Sequence, residues 1–448
     1  MQRAFQLARL YLLVSLGLAG CLPAPTASGT RETSPAAPLS TIALPTSPAG
    51  PLPEVTFTDL VVRHGDDEDE WIVLGMAHNE SSSALESVAV CVELVDAAGT
   101  ATSEATAPLP LSVLQPGAAS PFIARLEQAE SPAEVRASLE SFQFSSAAAA
   151  STSLGAVYTT QAPDEVFVRG TVQCEDTRPV RVHDVVIVWR ATDRSLAGLA
   201  VASVPGAILP QSGSLPWIAQ ASGATPGTRF EVFTAVSAVD PASEIPLVVT
   251  DGPTWHVTSQ GNGFATGAIR NAGDAPVLPQ VAIAVRAAGR PISLEILQSI
   301  IPLEPGETLT FAADRFPGLQ AALESGGIEI ADVTLEAYLD AQPVPLNTGG
   351  AVILPVSIHQ LEAIGSSIFL RGMVSNPDSV PLRSAAIFVS LRSTTGEPQS
   401  ARWLELVPPP AEAGVEFSLD MPLSADINPA MCEYDIRAFG LPLPDSSW

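Results

Sequence analysis

The sequence predicts an all-β protein: four β-sandwich domains in tandem behind a disordered tether rich in Pro, Ser and Thr. Three observations carry this. A strand pattern centred on a glycine recurs four times, hydrophobicity inside each copy alternates with a period of two, and turn signals follow at matching places. The central glycines are Gly75, Gly170, Gly267 and Gly372, separated by 95, 97 and 105 residues. That period is domain-sized and too long for a solenoid unit.

At 448 residues the chain exceeds one ordinary core, and length alone suggests about three domains. Its hydrophobic fraction of 46% is enough to build cores. Charged residues are 15%, against roughly 25% in an average soluble domain. Every basic residue is arginine, which excludes lysine Schiff-base chemistry and a P-loop lysine. The net charge of −27 repels phosphate backbones and anionic headgroups, so no nucleic-acid partner is expected. The acidity points to a soluble surface.

The opening segment pairs Arg3 and Arg9 with a short apolar run, Leu10 to Leu18. That run falls far below the ~20 residues needed to cross a bilayer, and it fits a secretory signal. From Leu22 to Pro53 the chain is mostly Pro, Ala, Ser and Thr. Such a segment cannot bury enough apolar surface to offset its ordering entropy, and its prolines favour an extended tether.

The four glycine-centred strands read WIVLGMAHN (Trp71–Asn79), VFVRGTVQC (Val166–Cys174), GFATGAIRN (Gly263–Asn271) and IFLRGMVSN (Ile368–Asn376). Positions two before and two after each glycine, such as Val73 and Ala77, share a strand face with it. Asn four residues on, in three copies, suits a strand end where its side chain satisfies a turn. A β-branched strand comes next: Val88–Gly99, Val185–Asp193, Val281–Gly289 and Ala385–Gly396. A turn then precedes an aromatic: LQPG before Phe122, LPQSG before Trp217, LEPG before Phe311, and the looser VPPPAEAG before Phe417. Each copy closes with another alternating strand. Ser131–Phe142 and Phe316–Gly326 are expected to form one or two helical turns before it. The resulting division is 1–20 signal peptide, 21–53 tether, and sandwiches at 54–146, 155–241, 245–341 and 351–448. Their short connections predict beads in a row with limited hinge freedom.

Two resemblances follow from these residues. Leu18-Ala19-Gly20-Cys21 resembles the bacterial lipobox, which implies lipid attachment at Cys21, removal of residues 1–20 and an extracytoplasmic protein held to the cell membrane. Gly75 to Asn79, Glu93-Leu94-Val95-Asp96, Leu114-Gln115-Pro116-Gly117 and Phe122 resemble the FxLYD-type domain, with Val95 where tyrosine is usual. That resemblance implies immunoglobulin-like sandwiches and carries over no catalytic residue.

Local chemistry is sparse. HGDDEDEW (His64–Trp71) holds five consecutive acids between two strands, and Asp66, Glu68 and Glu70 would share one side. They form a weak candidate Ca²⁺ cluster set against the plainer expectation of a solvated acidic hairpin. Beyond Cys21, the cysteines Cys91, Cys174 and Cys432 fall in different copies, so no intradomain disulfide can form; they read as small apolar residues in strands. There is no CxxC, the five histidines are isolated in sequence, and His183 and Asp184 should point to opposite faces. GNGFATG (Gly261–Gly267) lacks a following helix and a lysine, so it reads as a hairpin turn.

No catalytic residue and no cofactor are assigned. The expectation is a non-enzymatic, surface-exposed lipoprotein serving as a binding or spacer module, with an envelope protein or polysaccharide as partner. Alternatives are a solute-binding component of a transport system and an envelope hydrolase.

Overall fold

Strands build almost everything in the computed structural model, which describes residues 53–443 except 66, 68, 128–130, 164, 226, 241–244, 300, 345–350 and 379. The expected signal peptide, Cys21 and the tether up to residue 52 lie outside the described residues, as do Asp66 and Glu68. The chain is all-β: tandem sandwiches of small antiparallel sheets, with one α-helix, Leu319–Gly326, among the described residues.

Every repeat uses the same wiring. In the first, the glycine-centred strand Glu70–Asn79 lies between Val55–His64 and Ala119–Glu127. The strand Leu85–Val95 lies in a second sheet between Ala101–Pro108 and Glu134–Phe144. The third repeat copies this with Gly263–Asn271 between Leu247–Val257 and Thr308–Ala313, and with Val277–Ala287 between Arg290–Gln298 and Val333–Pro343. The fourth does so with Ser367–Asn376 and Leu382–Arg392 as its two central strands. In the second repeat, Glu165–Cys174 pairs with Ser214–Ala221 on one side and with two short strands, Thr152–Leu154 and Tyr158–Ala162, on the other.

The repeat glycine and the aromatic after the turn are one device. Gly75 pairs with Phe122, Gly170 with Trp217, Gly267 with Phe311 and Gly372 with Phe417. Each ring lies over its glycine: a Cβ at those four positions would sit 2.4, 2.6, 2.4 and 2.9 Å from ring carbons. Only glycine leaves room for this aromatic ring against the neighbouring strand.

The asparagine four residues on is equally specific. Asn79, Asn271 and Asn376 are buried, and each Nδ2 donates to the carbonyl four residues ahead and to a second carbonyl before the proline turn. Their Oδ1 atoms accept the backbone N–H two residues on. Cys174 takes this place in the second repeat, and its Sγ contacts the carbonyls of Asp176 and Arg178 at 3.6 and 3.7 Å.

Two expectations are overturned. Ser131–Phe142 does not turn helical: Glu134–Phe144 is a strand, with Val135, Ala137 and Leu139 packed on the first core and Glu134, Arg136 and Ser138 facing away. A period of two outweighs the helix-favouring Ala, Glu and Leu in that segment. Phe316–Gly326 does contain the helix. Nor are the sandwiches separate beads, for Pro53 to the C-terminus forms one compact unit. The outer face of each glycine-centred sheet packs on the outer face of the next repeat's second sheet. Ile72, Leu74 and Met76 meet Val188 and Leu196 at the first junction. Phe167 and Ile218 meet Ala282, Ala284 and Leu294 at the second. Ala312 joins a cluster with Ala386, Phe388 and Ala401 at the third. The reason is legible in WIVLGMA, where both alternating sets are apolar: a strand of that kind is buried on two faces. The two end faces of the stack are more polar, carrying Cys91, Glu93 and Glu104 on the first repeat and Arg371, stacked over Phe369, on the fourth.

Candidate functional site

Among the described residues, those singled out from the sequence do not assemble into a centre. Of the candidate Ca²⁺ cluster Asp66, Glu68 and Glu70, Glu70 is the member described, and its carboxylate is held by Arg125 at 2.7 Å. The Glu70 carbonyl closes the hairpin by accepting the Gly65 N–H, while His64 stacks on Trp71 with centroids 3.8 Å apart.

The described cysteines, Cys91, Cys174 and Cys432, are free thiols. Cys174 is buried in the second core, whereas Cys91 and Cys432 are only half-buried, so the reading of all three as buried apolar residues fits Cys174 alone. Cys91 forms a cluster that sequence reasoning missed, with its Sγ 3.2 Å from Glu104 Oε1 and Glu93 alongside. Burial and the Glu104 carboxylate raise the Cys91 thiol to about 11, so it stays protonated at neutral pH. Residues two apart on one strand, facing an adjacent strand, would have signalled this grouping.

Two histidines lie against hydroxyls. His256 Nε2 is 2.8 Å from Thr266 Oγ1, but that hydroxyl gives its proton to the Pro398 carbonyl, so the ring is the donor and no nucleophile is activated. Burial lowers the His256 pKa. His183 Nε2 lies 2.8 Å from Ser237 Oγ. A bulge between Val182 and Asp184 re-aims the chain there, and Asp184 accepts the Ser112 N–H from the first repeat instead of orienting the ring.

A cleft of about 370 Å³ opens where the third and fourth repeats meet. One wall is the hairpin after Leu247–Val257, the turn that GNGFATG forms. There Thr258 N–H donates to the Asn262 carbonyl, Gly261 N–H to the Thr258 carbonyl, and Gly261 takes φ +83°. Gly263 has no Cβ, and the Trp255 indole occupies that space, as a Cβ would lie 1.9 Å from its ring. Phe316 packs on Trp255 at 5.6 Å between centroids, and Leu319 and Leu323 of the helix complete the apolar side. The fourth repeat contributes Ser366, Ser367, Asp420 and Pro422. Asp314, on the rim, is tied across the junction to Arg402 by paired bonds of 3.0 and 2.6 Å.

Polar groups in this cleft divide into used and unused. Backbone groups are used: Ala425 N–H donates to the Val257 carbonyl and Leu423 N–H to that of Ser366. The side chains of Gln260, Asn262, Ser366, Ser367 and Asp420 make no hydrogen bond to the described residues, and the buried Trp255 Nε1–H has no acceptor among them. The arrangement is thus a small recess with aromatic edges, amides and hydroxyls that make no hydrogen bond to the described residues, and the Asp420 carboxylate, which lies in the field of Arg402. It offers binding groups without a paired acid, base and nucleophile.

No family model matches the chain, and no curated protein does. Solved structures that resemble it include the native conformation of Escherichia coli alpha-2-macroglobulin, at 12% identity and a TM-score of 0.13, covering 87% of this chain and 26% of that one. Trypsin-activated E. coli alpha-2-macroglobulin matches at 10% identity and TM-score 0.13, over 88% and 31%. The Y1175G mutant of Salmonella alpha-2-macroglobulin matches at 12% and 0.13, over 86% and 29%. The chain therefore spans under a third of the proteins it resembles.

Proposed function

We propose that this chain is a non-enzymatic, surface-exposed lipoprotein of a bacterial envelope, held by lipid on Cys21 and serving as a binding or spacer module. The observation that supports it best is the stack itself. Four sandwiches bury their facing sheets against one another and end in more polar faces, an arrangement suited to holding a rigid length away from an anchor. FxLYD-type repeats behind a lipobox signal and a Pro-rich tether fit that role, and an envelope protein or polysaccharide is the partner class. The charge of −27 disfavours nucleic acid.

Intact-mass analysis of protein purified from the membrane fraction tests the anchor: an acylated N-terminal Cys21 is expected, and an unmodified N-terminus would sink the proposal. Cross-linking on intact cells should capture an envelope component. A second reading, a solute-binding component of a transporter, draws on the aromatic-edged cleft between the third and fourth repeats. Its two walls are both β-sandwiches, unlike paired α/β lobes, and uptake assays in a deletion strain would separate the readings.

A further inference from the structure

The geometry points to a ligand class for the cleft between the third and fourth repeats: a neutral, hydroxyl-rich oligosaccharide, one to two sugar rings deep. This rests on the binding-module reading and makes it specific. Three features converge. First, the volume of about 370 Å³ lies at the small end of ligand sites, which run from roughly 300 Å³ upwards. Second, the unused polar groups are mixed donors and acceptors: the amides of Gln260 and Asn262, the hydroxyls of Ser366 and Ser367, and the Asp420 carboxylate. A sugar hydroxyl both gives and accepts a hydrogen bond, so it can satisfy either kind of group. Third, the edges of Trp255 and Phe316, with Leu319 and Leu323, form an apolar side against which the C–H groups of a pyranose pack.

The same groups argue against other ligands. Asp420 on the cleft, in a chain of net charge −27, opposes an anion. A lipid tail would leave the free amides and hydroxyls unpaired. An extended peptide needs free backbone groups to pair with, and here the hairpin Val257–Gly263 and the Ser366 carbonyl are already bonded within the fold.

The test uses the full chain purified in detergent. It is titrated with cellohexaose, chitohexaose and a β-1,3-glucan hexamer, followed by calorimetry and by tryptophan fluorescence. An oligogalacturonate and a neutral hexapeptide serve as comparison probes. Saturable binding of at least one neutral oligosaccharide is expected, with the uronate at least tenfold weaker. The double variant Gln260→Ala/Asn262→Ala alters two exposed turn side chains and should leave the melting temperature unchanged. It should weaken binding by roughly tenfold or more, the scale of two lost hydrogen bonds. Thr192→Ala, in the second repeat, should bind as wild type. The inference is overturned if no neutral oligosaccharide saturates by about 10 mM, if the double variant binds normally, or if the uronate or the peptide binds as tightly. None of those results touches the anchor, which intact mass and cell cross-linking read independently of the cleft.

Discussion

At the first junction, Ile72, Leu74 and Met76 lie on Val188 and Leu196, and the direct polar ties are peripheral: Arg63 to the Ala197 carbonyl, Arg190 to Asp59 and the Ser112 N–H to Asp184. At the third, the same strand positions carry Phe264, Thr266 and Ala268. Thr266 donates to Pro398, Trp403 Nε1 to the Thr310 carbonyl, and Arg402 pairs with Asp314. Ser390 is buried on that face with no partner for its hydroxyl among the described residues. Glu295 is buried beside the ion pair, its pKa raised to about 7 mainly by burial, against the pull of the Arg315 N–H. The residue just before the repeat glycine sums up the contrast: Leu74 in the first copy, Thr266 in the third. One stacking geometry therefore supports an apolar junction and a polar one with a ligand-sized recess. The second kind leaves more side-chain polar groups to be satisfied.

Substitutions at the two junctions would break or sharpen this contrast. The largest effect is expected from Leu74→Asp, which places a lone charge in the apolar junction. A loss of about 3–5 kcal/mol by urea denaturation is expected, comparable with an uncompensated buried charge, together with earlier unfolding of the first repeat. A cost below about 1 kcal/mol would mean that the junction opens freely.

Glu295→Gln should act in the opposite direction. Because the folded pKa is raised above the unfolded value near 4.5, the native state holds the extra proton between pH 4.5 and about 7. Its contribution is fullest below pH 4.5 and is lost as pH rises to 7. The glutamine variant should match wild type at pH 4 and gain about 3 kcal/mol at pH 8. Equal stabilisation at both pH values would remove the titration from the explanation.

Asp314→Asn should cost about 2 kcal/mol, since it leaves the largely buried Arg402 without its carboxylate. Denaturant midpoints at low and high salt would check it. The smallest effect, below about 1 kcal/mol, is expected for Glu70→Gln, whose partner Arg125 is 58% exposed. A larger loss there would give the acidic hairpin a structural weight that its ion pair does not predict.

Much of the fold is legible in the sequence because it is local. The alternation around Gly75, Gly170, Gly267 and Gly372 and the turn-then-aromatic signals are enough to name the strands. What they do not say is that Phe122 lies on Gly75, because pairing residues 47 apart depends on register, which emerges only when the sheet forms. Glu134–Phe144 misleads because helix-favouring composition hides a period of two that its neighbour Leu85–Val95 enforces. Of the candidate cleft only the GNGFATG hairpin is legible; the recess itself is not. Its walls come from Trp255, Phe316 and Ser366, more than a hundred residues apart from first to last, and none belongs to a recognisable motif.

By itself the sequence determined the strand content, the repeat, the glycine and asparagine positions and the hairpin at Gly261, because each follows from side-chain period or backbone freedom within a few residues. Only the tertiary structure decided that the sandwiches stack face to face, and which strand faces become an apolar seam, a polar junction or an outer end. A strand apolar on both faces, such as WIVLGMA, says that its second face is covered, but which sheet of which repeat covers it is decided by the packing alone.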